Sequence, residues 1–275
     1  MAFHNPQRIA RLVVDAGANK AVMSVPNTLV LGFLAGAFIS LGFLLNIRVV
    51  ANLPSEWGSF TSLLGGAVFP LGVILVVLAG GELLTGNMLA LTMATLARRA
   101  TLGQLSRNWL LVVVSNFVGA LFVAYFFGHI VGLTGTGVFL TETVATAQEK
   151  VDHSFTQALI SGIGCNWLVC LAIWMAYGAD DISGKILAIW FPIMGFVTIG
   201  FQNVVANMFV IPAAIFAGHM SWVDYFSNFV PVLIGNAIGG SLFVAFMYGF
   251  VYRKEIRLVE SHVNKVKSKV VDFKI

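Results

Sequence analysis

The sequence predicts an all-α membrane protein whose six transmembrane helices form two inverted three-helix repeats, with the second and fifth helices broken. Hydrophobic residues make up 58% of the chain and charged residues only 10%, whereas soluble domains contain about 25% charged residues. Six apolar runs each reach the ~20 residues that a helix needs to cross a bilayer. Two segments 120 residues apart also share an ordered pattern of polar and small residues. Together these observations predict the number of spans, the breaks and the repeat.

The membrane-spanning part is expected to occupy residues 26–252, between an amphipathic N-terminal segment (1–25) and a basic C-terminal tail (253–275). The apolar runs lie at about 28–50, 61–97, 107–132, 154–178, 186–218 and 225–252. The second and fifth runs, about 37 and 33 residues long, exceed one span. Each is therefore expected to consist of two half-helices joined by a non-helical link at mid-membrane. Pro70 and Pro192 precede these links and are consistent with bent first halves.

The positive charges predict the orientation in the membrane. Of the 16 Lys and Arg residues, 14 fall on one side if both termini, the segment 98–107 and the loop with Lys185 share that side. By the positive-inside rule this side is cytoplasmic. The N-terminus lacks the apolar core of a secretory signal, so the first membrane helix is expected to direct insertion into the cytoplasmic membrane. The net charge of +4 is thus a topology signal, and no nucleic-acid partner is expected.

An internal repeat explains the two breaks. Residues 80–88 read GGELLTGNM and residues 200–208 read GFQNVVANM, with Asn-Met at the same place in both. The third and sixth runs match at the same offset, because NFVGALFVA from Asn116 corresponds to NAIGGSLFVA from Asn236 with one extra residue. Three spans per repeat is an odd number, so the two halves must lie upside down relative to each other. That arrangement is typical of transporters.

Polar side chains occur at the breaks, at a depth where a lipid-facing helix needs only apolar residues. These side chains are Glu82, Thr85, Asn87, Gln202, Asn203 and Asn207. Irregular backbone at this depth is tolerated only where protein covers it or a cavity adjoins it. The two breaks are therefore expected to face each other across a central pathway. The half-helices that follow would point N-terminal amides at this pathway, and such amides favour an anion.

These motifs resemble those of the formate/nitrite transporter family. The resemblance covers nearly the whole membrane portion and is carried by GGELLTGNM, GCNWLVCLAIWMAYG, GFQNVVANMFVIP and GNAIGGSLFVA. It implies an aquaporin-like protomer, a homopentamer, and a pore in each protomer that carries a small monovalent anion, formate first, alone or together with a proton. Nitrite, hydrosulfide and short-chain monocarboxylates are the alternative substrates within the family, and no enzymatic activity is implied.

The resemblance also implies roles for individual residues. By position, the outer constriction falls on Phe69, Leu83 and Phe196, and the inner constriction falls on Val73, Leu84 and Val169. The family's break-loop threonine, fourth-helix asparagine and vestibule lysine correspond to Thr85, Asn166 and Lys150. Gln202-Asn203 stands where the family usually has Glu-His, so no protonatable side chain is expected at the pore centre. We expect this exchange in the formate-dehydrogenase-associated branch.

An apolar pore can conduct an acid for a physical reason. Removing an ion from water into an apolar medium costs several kcal/mol even after relaxation. Lys150 and the half-helix dipoles would gather the anion, and a lower charge would let it pass the apolar rings. Asn203 can only donate and accept hydrogen bonds. The proton must therefore come from water, or the ion must pass partly hydrated.

Structural interpretations of the same residues stay open. The four asparagines at the repeats are expected to clamp broken or close-packed helices rather than to bind substrate; they are Asn87, Asn116, Asn207 and Asn236. Glu82 is the only acid within a membrane run, so it is either functional or a tie for loose amides. Lys150 either gathers anions or belongs to an ordinary charge cluster with Glu149 and Asp152.

Other classes of function fit less well. A haem-carrying subunit needs paired axial ligands in its spans, yet the five histidines lie at or beyond helix ends. No nucleophile–base pair or metal-ligand cluster is evident, so no cofactor is expected. A neutral-solute facilitator of the aquaporin type is the better rival, but its paired Asn-Pro-Ala signatures are missing. A purely structural scaffold would not need two polar breaks.

Overall fold

The structure is a computed structural model that describes residues 3–256. Its main helices are α1 (Pro6–Ala21), α2 (Val25–Val50), α3 (Ser59–Gly80), α4 (Leu84–Leu96), α5 (Leu102–Ile130), α6 (Gly137–Val151), α7 (Phe155–Gly178), α8 (Ile182–Ile199), α9 (Val204–Phe216) and α10 (Trp222–Val251). Most of the basic tail predicted at 253–275 lies outside the described residues.

Six of these helices are long and apolar enough to cross a membrane, which confirms the predicted all-α membrane protein with six transmembrane helices; they are α2, α3, α5, α7, α8 and α10. The shorter apolar helices α4 and α9 have 13 residues each. Helix α4 follows α3 after a non-helical link at residues 81–83, the first break. Helix α9 follows α8 after residues 200–203, the second break. The overlong second and fifth runs are therefore broken helices, as predicted.

Local sequence signals set the ends of several spans. Thr101, Ser154 and Ser221 each begin a helix with a reciprocal capping box, in which the side chain of the cap accepts from a backbone N–H three residues later. Helix α8 ends at Ile199 and is followed by Gly200, whose φ of 90° lies in the left-handed region that glycine adopts without steric cost. Helix α3 is interrupted at Phe69 and Pro70, where proline removes a backbone donor.

Close helix pairs hold the spans of each half together. A Cβ atom added to Gly119 of α5 would lie 2.0 Å from the Phe33 carbonyl oxygen of α2. A Cβ atom added to Gly239 of α10 would lie 2.4 Å from the Ile163 carbonyl oxygen of α7. Gly119 and Gly239 are 120 residues apart, so the internal repeat places a glycine at the equivalent helix contact in both halves.

The N-terminal segment packs against the spans. Helix α1 is capped by Asn5, whose Oδ1 accepts from the Arg8 N–H at 2.9 Å. One face of α1 carries Ile9 and Val13, which are buried in a cluster with Met93 of α4 and Trp174 of α7. The amphipathic pattern of the segment is therefore satisfied by burial against α4 and α7.

Candidate functional site

Asn116 of α5 holds the backbone of the first break. Its Nδ2 donates to the carbonyl oxygens of Gly32 (2.8 Å) and Glu82 (2.9 Å), and its Oδ1 accepts from the Leu84 N–H (3.0 Å). The side chain is fully buried. It satisfies backbone groups of an irregular segment that would otherwise lack partners.

Asn236 of α10 does the same at the second break. Its Nδ2 donates to the carbonyl oxygens of Gly162 (2.8 Å) and Gln202 (3.1 Å), and its Oδ1 accepts from the Val204 N–H (2.9 Å). Asn116 and Asn236 are thus equivalent in contacts as well as in sequence, and both have the clamping role expected of them.

Glu82 lies at the first break with its charge paired. Asn87 donates from Nδ2 to Glu82 Oε2 (2.7 Å) and to Asn108 Oδ1 (2.9 Å). Lys20, at the end of α1, places its Nζ 2.5 Å from Glu82 Oε1. The acid therefore ties the N-terminal helix to the break. Asn87 bonds side chains here, and not the backbone of the break as expected.

Gln202 occupies the matching place at the second break, and it is uncharged. Its Oε1 accepts from Asn207 Nδ2 (2.8 Å) and Asn228 Nδ2 (2.7 Å). Its Nε2 contacts the Lys150 carbonyl oxygen (3.2 Å) and His153 Nδ1 (2.8 Å). Asn207 also donates to Asn228 Oδ1 (2.8 Å), so it bonds side chains, like Asn87. The second break therefore has a network of side-chain amides where the first break has an ion pair.

The first backbone N–H groups of α4 and α9 differ in whether they have hydrogen-bond partners. This difference corrects the expectation that both half-helices point free amides at the pathway. At the start of α9, Asn203 Oδ1 accepts from the N–H groups of Val205 (3.0 Å) and Ala206 (3.2 Å), and Asn236 already binds that of Val204. These contacts satisfy the first three amides of α9. Asn203 is therefore the N-cap of α9, and its Nδ2 is what it can offer to a solute.

Helix α4 is capped less completely. Asn116 binds the Leu84 N–H, and no side chain caps the helix from Leu83. In the part of the chain that the structure describes, the N–H groups of Thr85 and Gly86 are left without such a partner. The first break therefore presents the free amides, with the positive end of the α4 dipole behind them.

Three cavities adjoin the breaks. The Lys150 cavity, of ≈ 340 Å³, is lined by Asn46, Glu149, Lys150 and Thr198 among others. The phenyl pocket, of ≈ 40 Å³, is lined by Phe43, Phe69, Lys150, Phe196, Phe201 and Asn203 with their neighbours. The Glu82 cavity, of ≈ 340 Å³, is lined by Lys20, Glu82, Leu83, Gly86, Tyr177 and Lys185 among others. Lys150 lines both of the first two cavities, so they adjoin at this residue.

The predicted outer constriction is brought together only in part. The rings of Phe69 and Phe196 meet edge to face with centroids 5.7 Å apart, and Phe43 packs on Phe69 at 5.6 Å. Leu83, expected beside the two phenylalanines, lines the Glu82 cavity instead of the phenyl pocket. Phe43 takes part in the aromatic cluster that Leu83 was expected to complete.

The predicted inner constriction lies in the apolar core. Val73, Leu84 and Val169 are buried in one cluster and line none of the three cavities. Asn166 is fully buried and donates from Nδ2 to the carbonyl oxygens of Thr85 (3.3 Å) and Asn236 (2.7 Å). It therefore acts as a clamp between helices. The Thr85 hydroxyl is buried without a hydrogen-bond partner among the described residues, and Thr85 lines none of the three cavities.

The side chain of Lys150 is nearly buried although it is charged. Only 10% of the side chain is exposed, and its Nζ lies 3.1 Å from Oε1 of Glu149, which is largely exposed. Both interpretations offered for Lys150 are therefore compatible with its position. It belongs to a charge cluster, and it also lines two cavities.

Five residues of the site were not predicted from the sequence: Lys20, Phe43, Asn108, His153 and Asn228. The repeat holds the signal for two of them, because Asn108 and Asn228 are 120 residues apart and each lies 21 residues after the asparagine it bonds. Lys20 could have been sought as the counter-charge that an intramembrane acid requires. His153 and Phe43 have no counterpart of their own kind at this offset.

Comparisons with known proteins agree with this geometry. A family model described as "Formate/nitrite transporter" matches residues 7–250. The chain is 61% identical over 255 residues to the "Formate channel BtFdhC" of Bacillus thuringiensis, covering 93% of this chain and 98% of the relative. A solved "FNT family ion channel" has a TM-score of 0.83 at 29% identity, covering 88% of this chain and 98% of the other. A solved "Pentameric formate channel with formate bound" has a TM-score of 0.73 at 30% identity, covering 83% and 97%.

Proposed function

Because this chain belongs to the formate/nitrite transporter family, we propose that it is a membrane channel that conducts formate. The relatives it resembles are named channels or transporters, so we propose no catalytic reaction. One observation carries the proposal: cavities lined by both polar and apolar residues approach the two breaks, and the buried residues Val73, Leu84 and Val169 line none of them. This arrangement suits a small solute that sheds most of its water at the centre.

The route runs through the two breaks. Formate enters the Lys150 cavity, where the ammonium group attracts it, and passes the Phe69–Phe196 pair into the phenyl pocket beside Asn203. From there it crosses the apolar seal of Val73, Leu84 and Val169 to reach the Glu82 cavity. The free amides at the start of α4 and the Thr85 hydroxyl supply hydrogen bonds along this step.

The absence of a titratable side chain at position 203 shapes the mechanism. The carboxamide of Asn203 cannot give a proton to the anion. A bare charge in the apolar seal costs several kcal/mol. We therefore propose that the solute crosses the seal with reduced charge, taking its proton from water in the Lys150 cavity, or keeps part of its hydration.

We also propose the finer topology. Both termini lie in the cytoplasm, as the distribution of the Lys and Arg residues favours, and the membrane is the cytoplasmic one. The two halves are inverted repeats; the equivalent clamps Asn116 and Asn236 and the equivalent glycines Gly119 and Gly239 support this. Five chains assemble, by analogy with the solved pentameric formate channel. Each protomer has its own pore.

The test is uptake of labelled formate by purified protein in liposomes, with nitrite, hydrosulfide, acetate and lactate measured side by side. We expect formate to be the fastest. Phe196→Trp should block the phenyl pocket and abolish most of the flux. Phe191→Trp, at an exposed position of the same helix (57% against 3%), is the matched control and should conduct normally. Faster nitrite than formate flux, or normal flux in Phe196→Trp, would contradict the proposal.

A further inference from the structure

The carbonyl group of Lys150 fixes the orientation of two amides at the second break. This carbonyl lies in the last turn of α6, where helix carbonyls lack intrahelical partners. It contacts Asn228 Nδ2 at 2.7 Å and Gln202 Nε2 at 3.2 Å. A carbonyl oxygen can only accept, so both amides must present their NH₂ groups to it. Neither amide can be flipped without placing an oxygen against that oxygen.

This orientation in turn determines the protonation of His153. The Gln202 oxygen is occupied by its two asparagine donors, and one Nε2 hydrogen is used by the Lys150 carbonyl. The other hydrogen points to His153 Nδ1 at 2.8 Å, so Nδ1 must accept it. The imidazole is therefore neutral and carries its proton on Nε2. A second proton on Nδ1 would face an NH₂ group and break the contact.

We propose that His153 is a positioning residue of the channel: as a neutral acceptor it locks Gln202, and protonation releases this lock. Gln202 connects the second break to the end of α6, which carries Lys150. Releasing it loosens the placement of both Lys150 and the backbone around Asn203. The proposal rests on the function proposed above, since it assigns a role in formate conduction to a side chain outside the pore.

The charges around His153 do not offer the imidazolium a ready alternative partner. Glu149 and Lys150 lie at the end of α6, Asp152 follows this helix directly before His153, α10 carries Asp224, and α2 presents Arg48 to the other end of α6 over the Phe139 ring. Helices α7 and α9 carry no charged side chain. Glu149 contacts Lys150, Asp152 accepts from Gln148, and Asp224 accepts from Ser221. Within the described residues none of these carboxylates pairs with His153.

Two substitutions of His153 distinguish the effect of its hydrogen-bond acceptor from the effect of its charge. His153→Asn retains an oxygen that can accept from Gln202 and does not titrate. His153→Leu removes the acceptor. His219→Asn, in the loop between α9 and α10, is the matched control for loss of a histidine elsewhere. Formate flux is measured from about pH 8 to about pH 5, the range in which histidine changes charge. Each value is expressed as the ratio of variant to wild type, because this ratio cancels the titration of formic acid itself.

The sign of the change in this ratio decides the outcome. We expect His153→Asn to match wild type within about twofold near pH 8 and to exceed it by about threefold or more near pH 5. His153→Leu should fall by at least about threefold throughout, because a buried donor is left without a partner. If the ratio for His153→Asn decreases as the pH is lowered from about 8 to about 5, the imidazolium attracts anions. If the ratio stays constant, protonation of His153 has no role. Either result overturns the proposal.

A second measurement does not depend on transport. Nitrogen-15 NMR of histidine-labelled protein in lipid distinguishes the two neutral tautomers, and the His153 signal is the one that disappears in His153→Asn. We expect the Nε2–H tautomer near pH 8. The Nδ1–H tautomer would refute the hydrogen-bond assignment even if the protein conducts formate. Absence of formate flux with the expected tautomer would instead refute the proposed function alone.

Discussion

Replacing Lys20 by methionine is expected to destabilise the folded channel by about 3–5 kcal/mol, because it leaves Glu82 buried without a counter-charge. Methionine keeps the length of the lysine stem, so packing of α1 on α4 is largely retained. The substitution therefore removes the charge in preference to the volume. The matched variant is Glu82→Gln, which removes the other partner of the same pair.

The magnitude follows from the geometry of the pair. Nζ and Oε1 are 2.5 Å apart, and the side chains of Lys20 and Glu82 are 19% and 4% exposed. At an effective dielectric constant of about 20 their gross attraction is about 6–7 kcal/mol. Desolvation offsets most of this, so the net contribution of the intact pair is small. Removing only Lys20 leaves the cost of desolvating the Glu82 carboxylate in place. In the described structure Asn87 then remains as the hydrogen-bond partner of Glu82.

Glu82→Gln should cost far less, about 1 kcal/mol. Lys20 lines the Glu82 cavity and can turn its ammonium group towards water. A glutamine at position 82 can accept from Asn87, as Gln202 accepts from Asn207 at the second break. The double variant Lys20→Met/Glu82→Gln would give the first break the uncharged network of the second, and it should be about as stable as Glu82→Gln alone.

The assay is equilibrium unfolding in mixed detergent micelles, read as a double-mutant cycle. The difference between the Lys20→Met effect in the wild-type and Glu82→Gln backgrounds should be about 3–5 kcal/mol. If Lys20→Met is equally destabilising in both backgrounds, the ion pair does not hold α1 on the break, and the account given for Glu82 is wrong.

Three further predictions concern the pore and its clamps. Asn203→His should add an inflection near neutral pH to the ratio of variant to wild-type formate flux, because it introduces a group that titrates there; a ratio without this step would place position 203 away from the solute. Lys150→Glu should reduce anion uptake strongly at low salt and less at high salt, since salt screens the attraction between the Lys150 cavity and an anion in solution beyond about 8 Å; uptake that is unchanged at low salt would leave Lys150 as a structural residue. Asn236→Leu should destabilise the protein by about 3 kcal/mol or more in the unfolding assay, because it leaves two carbonyls and one N–H without their partner; a loss below about 1 kcal/mol would show that the second break does not depend on this clamp.

The repeat in the sequence predicted a large part of the site. Asn116 and Asn236 were identified by their matching positions, and the structure gives them matching hydrogen bonds. The same offset relates Asn108 to Asn228, which were not predicted because neither lies in the repeated motifs. Motifs thus located the breaks correctly but not every side chain that holds them.

The two breaks also differ in ways that the repeat did not predict. Equivalent half-helices were expected to present equivalent amides, yet Asn203 caps α9 while α4 has no such cap from Leu83. Leu83 and Phe69 were expected in one constriction, and the structure places them along different cavities. A shared sequence pattern fixes the backbone course of each break, whereas one exchanged side chain changes which groups are left free.

The sequence by itself determined that the protein lies in a membrane, that it has six spans, where both breaks lie and to which family it belongs. These properties depend on apolar runs and on motifs that are continuous in the chain, because each span must satisfy its backbone hydrogen bonds internally. Only the tertiary structure decided that Lys20 pairs with Glu82 and that His153 accepts from Gln202, partners 62 and 49 residues apart. Amide and charged groups can bond many partners, and the choice among them depends on distances of about 3 Å that helix packing alone sets.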